Sequence, residues 1–203
     1  MKSLKVLMLA AFLMLLGALF ADETADTIEN AKTLYKTGKL AEAVNELNYA
    51  INQIQQMQME KYKAVFPAAQ LGWQAEEFNA EAAAMAFMGG GISVSRRYTT
   101  STGNDYYEDQ KSVNITLVSD SPMLSSLLMM FNNPMFLGAN KMVTIQGERA
   151  IESKNESGVP NELQFVIANR VMLTVDASNC SKDELYAYAN KIDFGKLKSI
   201  LSN

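Results

Sequence analysis

Apolar residues recur at three- and four-residue spacing near the start of the chain, from Thr24 to about Tyr62. Before Gly38 the apolar positions are Ile28, Ala31, Leu34 and Tyr35. After it they are Leu40, Ala43, Val44, Leu47, Ala50, Ile51 and Ile54. This spacing predicts two amphipathic helices, and a glycine between them breaks the run. We expect the two helices to fold back as an αα-hairpin.

The same residues form a recognisable motif, Ala31-x-x-Leu34-Tyr35-x-x-Gly38-x-Leu40-x-Glu42-Ala43-Val44-x-x-Leu47-x-x-Ala50-Ile51. The run resembles a tetratricopeptide repeat and covers most of one unit. In that motif small residues let two helices approach closely, and large residues fill the gap between them. The chain has no second copy, although such units need about three stacked neighbours. The hairpin should therefore pack on the rest of the chain or on a partner.

Beyond the hairpin, the pattern changes from helical to alternating. Pro67 ends any helix, and Gln74–Met88 is rich in Ala and Glu, which predicts a further helix that Gly89-Gly90-Gly91 stops. A period of two begins at Ile92. The alternating residues, which predict the two strands of a hairpin, are Ile92, Val94, Val113, Ile115 and Leu117.

The remaining elements follow from local signals. Ser121 and Pro122 predict the start of a helix over Met123–Phe131. Met142–Glu152 predicts one strand with Gly147 as a bulge candidate, and residues 153–161 a turn. Leu163–Val175 predicts two strands around Asn169-Arg170, and Ser181-x-x-Glu184 is a capping box that opens a last helix. The order β-β-α-β-β-β-α predicts an α+β fold, an antiparallel sheet packed with helices.

This element order resembles the PsbP-like group, which includes DcrB-type periplasmic proteins, over residues 71–201. The residues that carry the resemblance are Gly72-Trp73, Asp120-Ser121-Pro122, Val143-x-Ile145-x-Gly147 and Ile192-Asp193. The resemblance implies an α-β-α sandwich that serves as a binding or accessory domain. It carries no catalytic residues over to this chain, and likeness of fold does not transfer function.

The N-terminus has the three parts of a cleavable signal peptide. Lys2 and Lys5 are followed by the apolar run Val6–Leu16 and by small residues before a cut after Ala21. The alternative is a retained anchor, but the apolar run is shorter than the roughly 20 residues that a membrane span needs. We therefore predict a periplasmic or secreted protein with a signal peptide at 1–21, a tetratricopeptide-like hairpin at 22–70 and an α+β domain at 71–203.

Composition excludes several kinds of function. The net charge is −4, and loss of residues 1–21 would make it −6, which disfavours nucleic acid and anionic membranes as partners. The chain has no histidine, so it lacks Ser-His and Cys-His catalytic pairs and histidine-ligated zinc. Cys180 is the single cysteine and forms no internal disulfide. We expect no enzyme activity, no cofactor and no metal site.

The strongest candidate surface is the apolar, methionine-rich segment Ser121–Leu137. A helix that is apolar on nearly every side is either buried or meets a partner or apolar ligand. Copper binding by thioethers is the less favoured alternative to packing. The binding candidates are Met123, Leu127, Met130, Phe131, Met135, Phe136 and Trp73. Arg96 and Arg97 are a weaker candidate for gripping an anion.

These observations predict a non-enzymatic binding or accessory protein that acts through contacts with an envelope or secreted protein. One alternative is a periplasmic carrier of an apolar small molecule or lipid, held between the sheet and helix 121–137. A less favoured alternative is a hydrolase that uses two carboxylates in one pocket. No stable membrane span is expected after cleavage.

Overall fold

The computed structural model of the chain describes residues 23–81, 91–100, 110–121 and 124–202. The predicted signal peptide lies outside these residues. The chain divides into two compact units, and the boundary lies between Gln58 and Met59. The sequence predicts this boundary later in the chain, between residues 70 and 71. The division lies inside a helix because the side chains of Met59 and Tyr62, in its last turn, belong to the main core of the second unit.

The first unit contains the predicted pair of helices. Helix α1 covers residues 23–36, and helix α2 covers Leu40–Lys63. Gly38 lies between them with a φ of 79°, a backbone conformation that glycine adopts without steric cost. The amide of Lys39 donates to the carbonyl of Leu34, which closes the turn. The hairpin and its glycine break are as predicted.

The second unit is built on an eight-stranded antiparallel sheet. Its strands are β1 (Trp73–Ala75), β2 (Asn79–Glu81), β3 (Ile92–Thr100), β4 (Ser112–Ser119), β5 (Lys141–Ile145), β6 (Glu148–Lys154), β7 (Pro160–Ile167) and β8 (Val171–Ser178). They lie in the order β1-β3-β4-β8-β7-β6-β5, with β2 also paired to β3. The α+β class is thereby confirmed.

Among the described residues, three α-helices and a short 3-10 helix accompany the sheet. They are α3 (Leu124–Asn132), the 3-10 helix (Pro134–Leu137), α4 (Lys182–Ala189) and α5 (Phe194–Ser202). Inward-facing residues of β3 to β8 form the main core with side chains of α4 and α5. The opposite face of the sheet carries a smaller cluster around Phe131 and Ile151. Alternate residues of one strand reach opposite faces, so Leu173 joins the main core and Met172 the smaller one.

The helix predicted over Gln74–Met88 is wrong where the structure describes it. Trp73–Ala75 and Asn79–Glu81 are strands that pair with β3, and residues 82–90 lie outside the described residues. The favourable helix propensity of Ala and Glu is weak compared with tertiary packing. Here Trp73, Ala75, Phe78 and Ala80 pack against the main core. Sheet pairing and this burial together outweigh the local preference.

Two further boundaries differ from prediction. Met142–Glu152 is two strands instead of one, because Gln146 and Gly147 have φ angles of 51° and 82° and form a two-residue hairpin turn in place of a bulge. The last helix is split into α4 and α5. The capping box is present as predicted, with the backbone N–H of Ser181 donating to the Glu184 carboxylate at 2.8 Å. Among the described helices, none is long and apolar enough to cross a membrane.

Candidate interaction surfaces

The methionine-rich segment is half buried. Phe131 is only 6% exposed and packs with Ile151 of β6, and Met130 is partly buried against the same pair. The guanidinium of Arg149 donates to the carbonyl of Phe131 at 2.7 Å. These contacts attach α3 to the second face of the sheet. Two of the predicted binding residues, Met130 and Phe131, are therefore mainly packing residues.

The outer side of this segment exposes two thioethers. Met129 is 61% exposed and Met135 is 89% exposed; we call this pair the methionine surface. Asn133 holds the short 3-10 helix in place, because its side-chain oxygen accepts a hydrogen bond from the amide of Met135 at 3.1 Å. Met123 and the side chains of Leu127 and Phe136 lie outside the described residues. Among the predicted residues of this segment whose side chains the structure describes, Met135 is the one that lies exposed to a partner.

A small cavity lies beside α3. Its volume is about 250 Å³, and its lining includes Leu128, Phe131, Asn132, Glu148, Arg149 and Val166. Both charged groups are engaged, since Glu148 pairs with Lys198 and Arg149 bonds the Phe131 carbonyl. Ligand pockets for drug-sized molecules measure about 300–1,000 Å³. The cavity is therefore small for a lipid, and its one acid already has a basic partner.

Trp73 is partly buried and packs against the main core. Its ring meets that of Tyr188 edge-on with 5.2 Å between centroids, and Tyr188 in turn lies 4.7 Å from Tyr98. The hydroxyl of Tyr98 donates to the carbonyl of Pro67 at 2.8 Å, and burial raises the pKa of Tyr98 to about 12. Since this cluster is on the face of the sheet opposite α3, the structure does not bring Trp73 together with the methionine surface.

The guanidinium groups of Arg96 and Arg97 have different partners and do not converge on one anion-binding site. The guanidinium of Arg96 lies over the ring of Phe78, 4.4 Å from its centroid, and its Nε donates to the carbonyl of Glu76 at 2.9 Å. The Nε of Arg97 is 4.0 Å from the carboxylate of Glu76. Both arginines therefore brace the segment between β1 and β2 against β3.

Two titratable groups of the second unit, Glu152 and Cys180, have pKa values shifted by their surroundings. The carboxylate of Glu152 is buried, accepts a hydrogen bond from the hydroxyl of Tyr186 and lies 3.1 Å from Nζ of Lys141. Burial alone would raise its pKa, but these two partners lower the pKa below the usual value. Burial raises the pKa of Cys180 to about 11, which leaves little thiolate for reaction. No group of three His, Cys, Asp or Glu residues suited to a metal ion occurs within the described residues.

The helical pair presents a larger apolar surface than the methionine segment. Its buried residues are small: Thr24, Thr27, Ala31, Ala43 and Ala50. Most of its large apolar side chains are between 38% and 68% exposed, and Leu34 is partly buried. The exposed ones include a set that we call the hairpin face: Ile28, Tyr35, Leu40, Val44, Leu47, Ile51 and Ile54. The tetratricopeptide-like motif predicted that large residues fill the gap between the helices. The structure corrects this, because the small residues are buried and the large ones of the motif, apart from the partly buried Leu34, are exposed.

The hairpin face lies on one side of the helical pair. Successive residues of an α-helix are rotated by about 100° around its axis. Viewed along each helix from its N-terminus to its C-terminus, the residues of the hairpin face are rotated in the same direction away from the buried small residues. Because the two helices are antiparallel, the same sense of rotation leads to the same side. Tyr49 and Glu23, which are rotated the other way, meet on the opposite side at 3.5 Å. The sequence signal for this surface was the alternating four- and three-residue spacing from Leu40 to Ile54.

No family model, curated protein or solved structure matches this chain.

Proposed function

We propose that this chain is a non-catalytic, exported binding protein that acts through protein–protein contact at the hairpin face. The observation that carries the proposal is the exposure of seven large apolar side chains on one side of a hairpin whose fully buried residues are small. Monomeric soluble proteins rarely expose contiguous apolar patches larger than a few hundred Å². A patch of this kind indicates an interface.

The absence of catalysis is supported by the side chains available. The sequence contains no imidazole to act as general base near neutral pH. The Cys180 thiol has a raised pKa, and both carbonyls around it, those of Ser112 and Ser178, accept from its Sγ. A hydrolase with two facing carboxylates finds no support at the cavity, where Glu148 is the single acid in the lining and pairs with Lys198. The PsbP-like resemblance also fits an accessory role.

The carrier of an apolar ligand is less well supported. Such a protein needs an apolar space between α3 and the sheet. Phe131 and Ile151 pack directly there, and the cavity beside them is small and lined partly by charged groups. The methionine surface remains available as a second contact area for a protein, since flexible thioethers adapt to irregular surfaces.

Site-specific photo-crosslinking in the cells that make the protein tests the proposal. A photoreactive side chain replaces Leu47 on the hairpin face in one variant and Gln56, which is exposed on the other side of α2, in the control. We expect protein adducts, including adducts between copies of this chain, at position 47 and not at position 56. Absence of any protein adduct along the hairpin face would contradict the proposal. Lipid adducts from a third probe at Met135 would favour the carrier.

A further inference from the structure

We infer that the partner of the hairpin face is a second copy of this chain, with α2 of each copy pairing side by side and in parallel. This inference rests on the proposed function and specifies its partner. The residues that α2 contributes to the hairpin face are Leu40, Val44, Leu47, Ile51 and Ile54. Their spacing is four, three, four and three residues, which is the heptad spacing of a coiled-coil seam.

The residue types in this seam favour a two-stranded parallel pair. In heptad positions, Val44 and Ile51 occupy a, whereas Leu40, Leu47 and Ile54 occupy d. β-branched residues at a with leucine at d favour two parallel helices, because each side chain then fits the hole that the facing helix offers. Two of the three d positions carry leucine. A two-fold axis parallel to the helices would place every seam residue against the same residue of the second copy.

The flanks of the seam carry no charge that opposes pairing. The e positions are Ala41, Asn48 and Gln55, and the g positions are Ala43, Ala50 and Met57. Ala43 and Ala50 are buried within the hairpin, so α1 occupies the g side of α2. The exposed ion pairs of the hairpin, Lys32 with Glu29 and Lys39 with Glu42, are local to their own helices. A second copy therefore meets an apolar seam with neutral edges.

The area of the hairpin face matches what a dimer needs. Seven side chains about half exposed present on the order of 600 Å² per copy, or about 1,200 Å² in total, if a large apolar residue offers roughly 150–200 Å² when free. Specific protein interfaces start at about 1,200 Å² in total. Ile28 and Tyr35 of α1 lie on the same side as the seam and extend it beyond the two heptads of α2.

The first test measures mass in solution by sedimentation velocity over a range of concentrations. The chain is expressed with its own N-terminal segment and purified as the cell processes it. We expect a dimer for the unaltered protein and for Gln56→Glu, which adds the same charge at an exposed position away from the seam. Val44→Glu and Leu47→Glu place unpaired charge in the seam and should weaken the dimer by more than about 100-fold. Far-UV circular dichroism should show an unchanged helix content in all variants.

A second test determines orientation. Single cysteines replace Leu40 or Ile54 in a chain that also carries Cys180→Ser. Parallel pairing brings each new cysteine next to its own copy, so each variant alone should form a covalent dimer under mild oxidation. Antiparallel pairing would crosslink only a mixture of the Leu40→Cys and Ile54→Cys chains, and this outcome would overturn the parallel arrangement.

The outcomes separate this inference from the proposed function. A monomer that still gives protein adducts to a different chain at position 47 overturns self-association and leaves the binding function in place. A monomer without protein adducts overturns both. A monomer that retains residues 1–21, and becomes dimeric once they are removed, would show that the chain's own apolar N-terminal segment competes for the same face. A monomer that stays monomeric after that removal overturns self-association.

Discussion

Replacement of Gly91 by alanine tests whether the start of β3 is set by a close backbone contact. Gly91 has a φ of 114°, and a Cβ atom built on it would lie 2.6 Å from the carbonyl oxygen of Ser119. Ser119 pairs with Ile92 at the end of β4, so the oxygen is held by the sheet and cannot rotate away. Strain at a positive φ costs about 1–3 kcal/mol, and overpacking adds about 1–3 kcal/mol. We expect Gly91→Ala to lower the free energy of unfolding by about 3–5 kcal/mol.

Urea unfolding followed by circular dichroism measures this loss. Gly158→Ala is the matched control, because Gly158 has a φ of 77° but no heavy atom within 4 Å of the added Cβ. The control carries the conformational strain alone and should lose only about 1 kcal/mol. Equal losses in the two variants would refute the reasoning, since they would show that the contact with Ser119 contributes nothing.

Three further outcomes are expected. The pKa of Glu152 is lowered in the folded chain, so the carboxylate stabilises the fold above the unfolded pKa, and this stabilisation is lost as pH falls through the folded pKa. Urea titrations between pH 7 and pH 3 should therefore show a smaller fall in the free energy of unfolding for Glu152→Gln than for the unaltered chain. Ser181→Ala removes the N-cap of α4 and should lower the free energy of unfolding by about 1 kcal/mol in urea, while the dependence of that free energy on urea concentration stays unchanged. Burial raises the pKa of Cys180 to about 11, so at pH 8 the thiol should react with iodoacetamide on the order of 100-fold more slowly in the folded protein than in urea. Mass spectrometry measures the two rates, and equal rates would contradict the burial of Cys180.

Local signals predicted much of the fold. The break at Gly38, the paired strands after Ile92, the turn at Asn169-Arg170 and the cap at Ser181 all occur where the sequence indicates them. Each depends on the backbone preference of one or two residues or on a short alternation. These preferences act within a few residues along the chain, so they can be recognised without knowledge of the tertiary structure.

The failures have a common cause. The region after Trp73 has the composition of a helix, yet its described part pairs with β3, and the competing strand is distant in the sequence. Gln146 and Gly147 indicated an irregularity, but whether it was a bulge or a hairpin turn depended on the pairing of β5 with β6. Spacing also could not identify the residues that Trp73, Arg96 and Arg97 contact, which are Tyr188, Phe78 and Glu76; a binding role for the three stays a prediction.

The sequence by itself determined most of the described elements of this protein, its α+β class and the lack of histidine, because residue type and periodicity are local properties. Only the tertiary structure decided which apolar side chains are buried. The sequence predicts that the apolar stripe from Leu40 to Ile54 packs on the rest of the chain or on a partner. In the structure the two helices bury alanines and threonines against each other and leave this stripe exposed. A helical period identifies an apolar stripe, but two neighbouring stripes on one helix compete for burial, and the outcome depends on the shape of the facing helix.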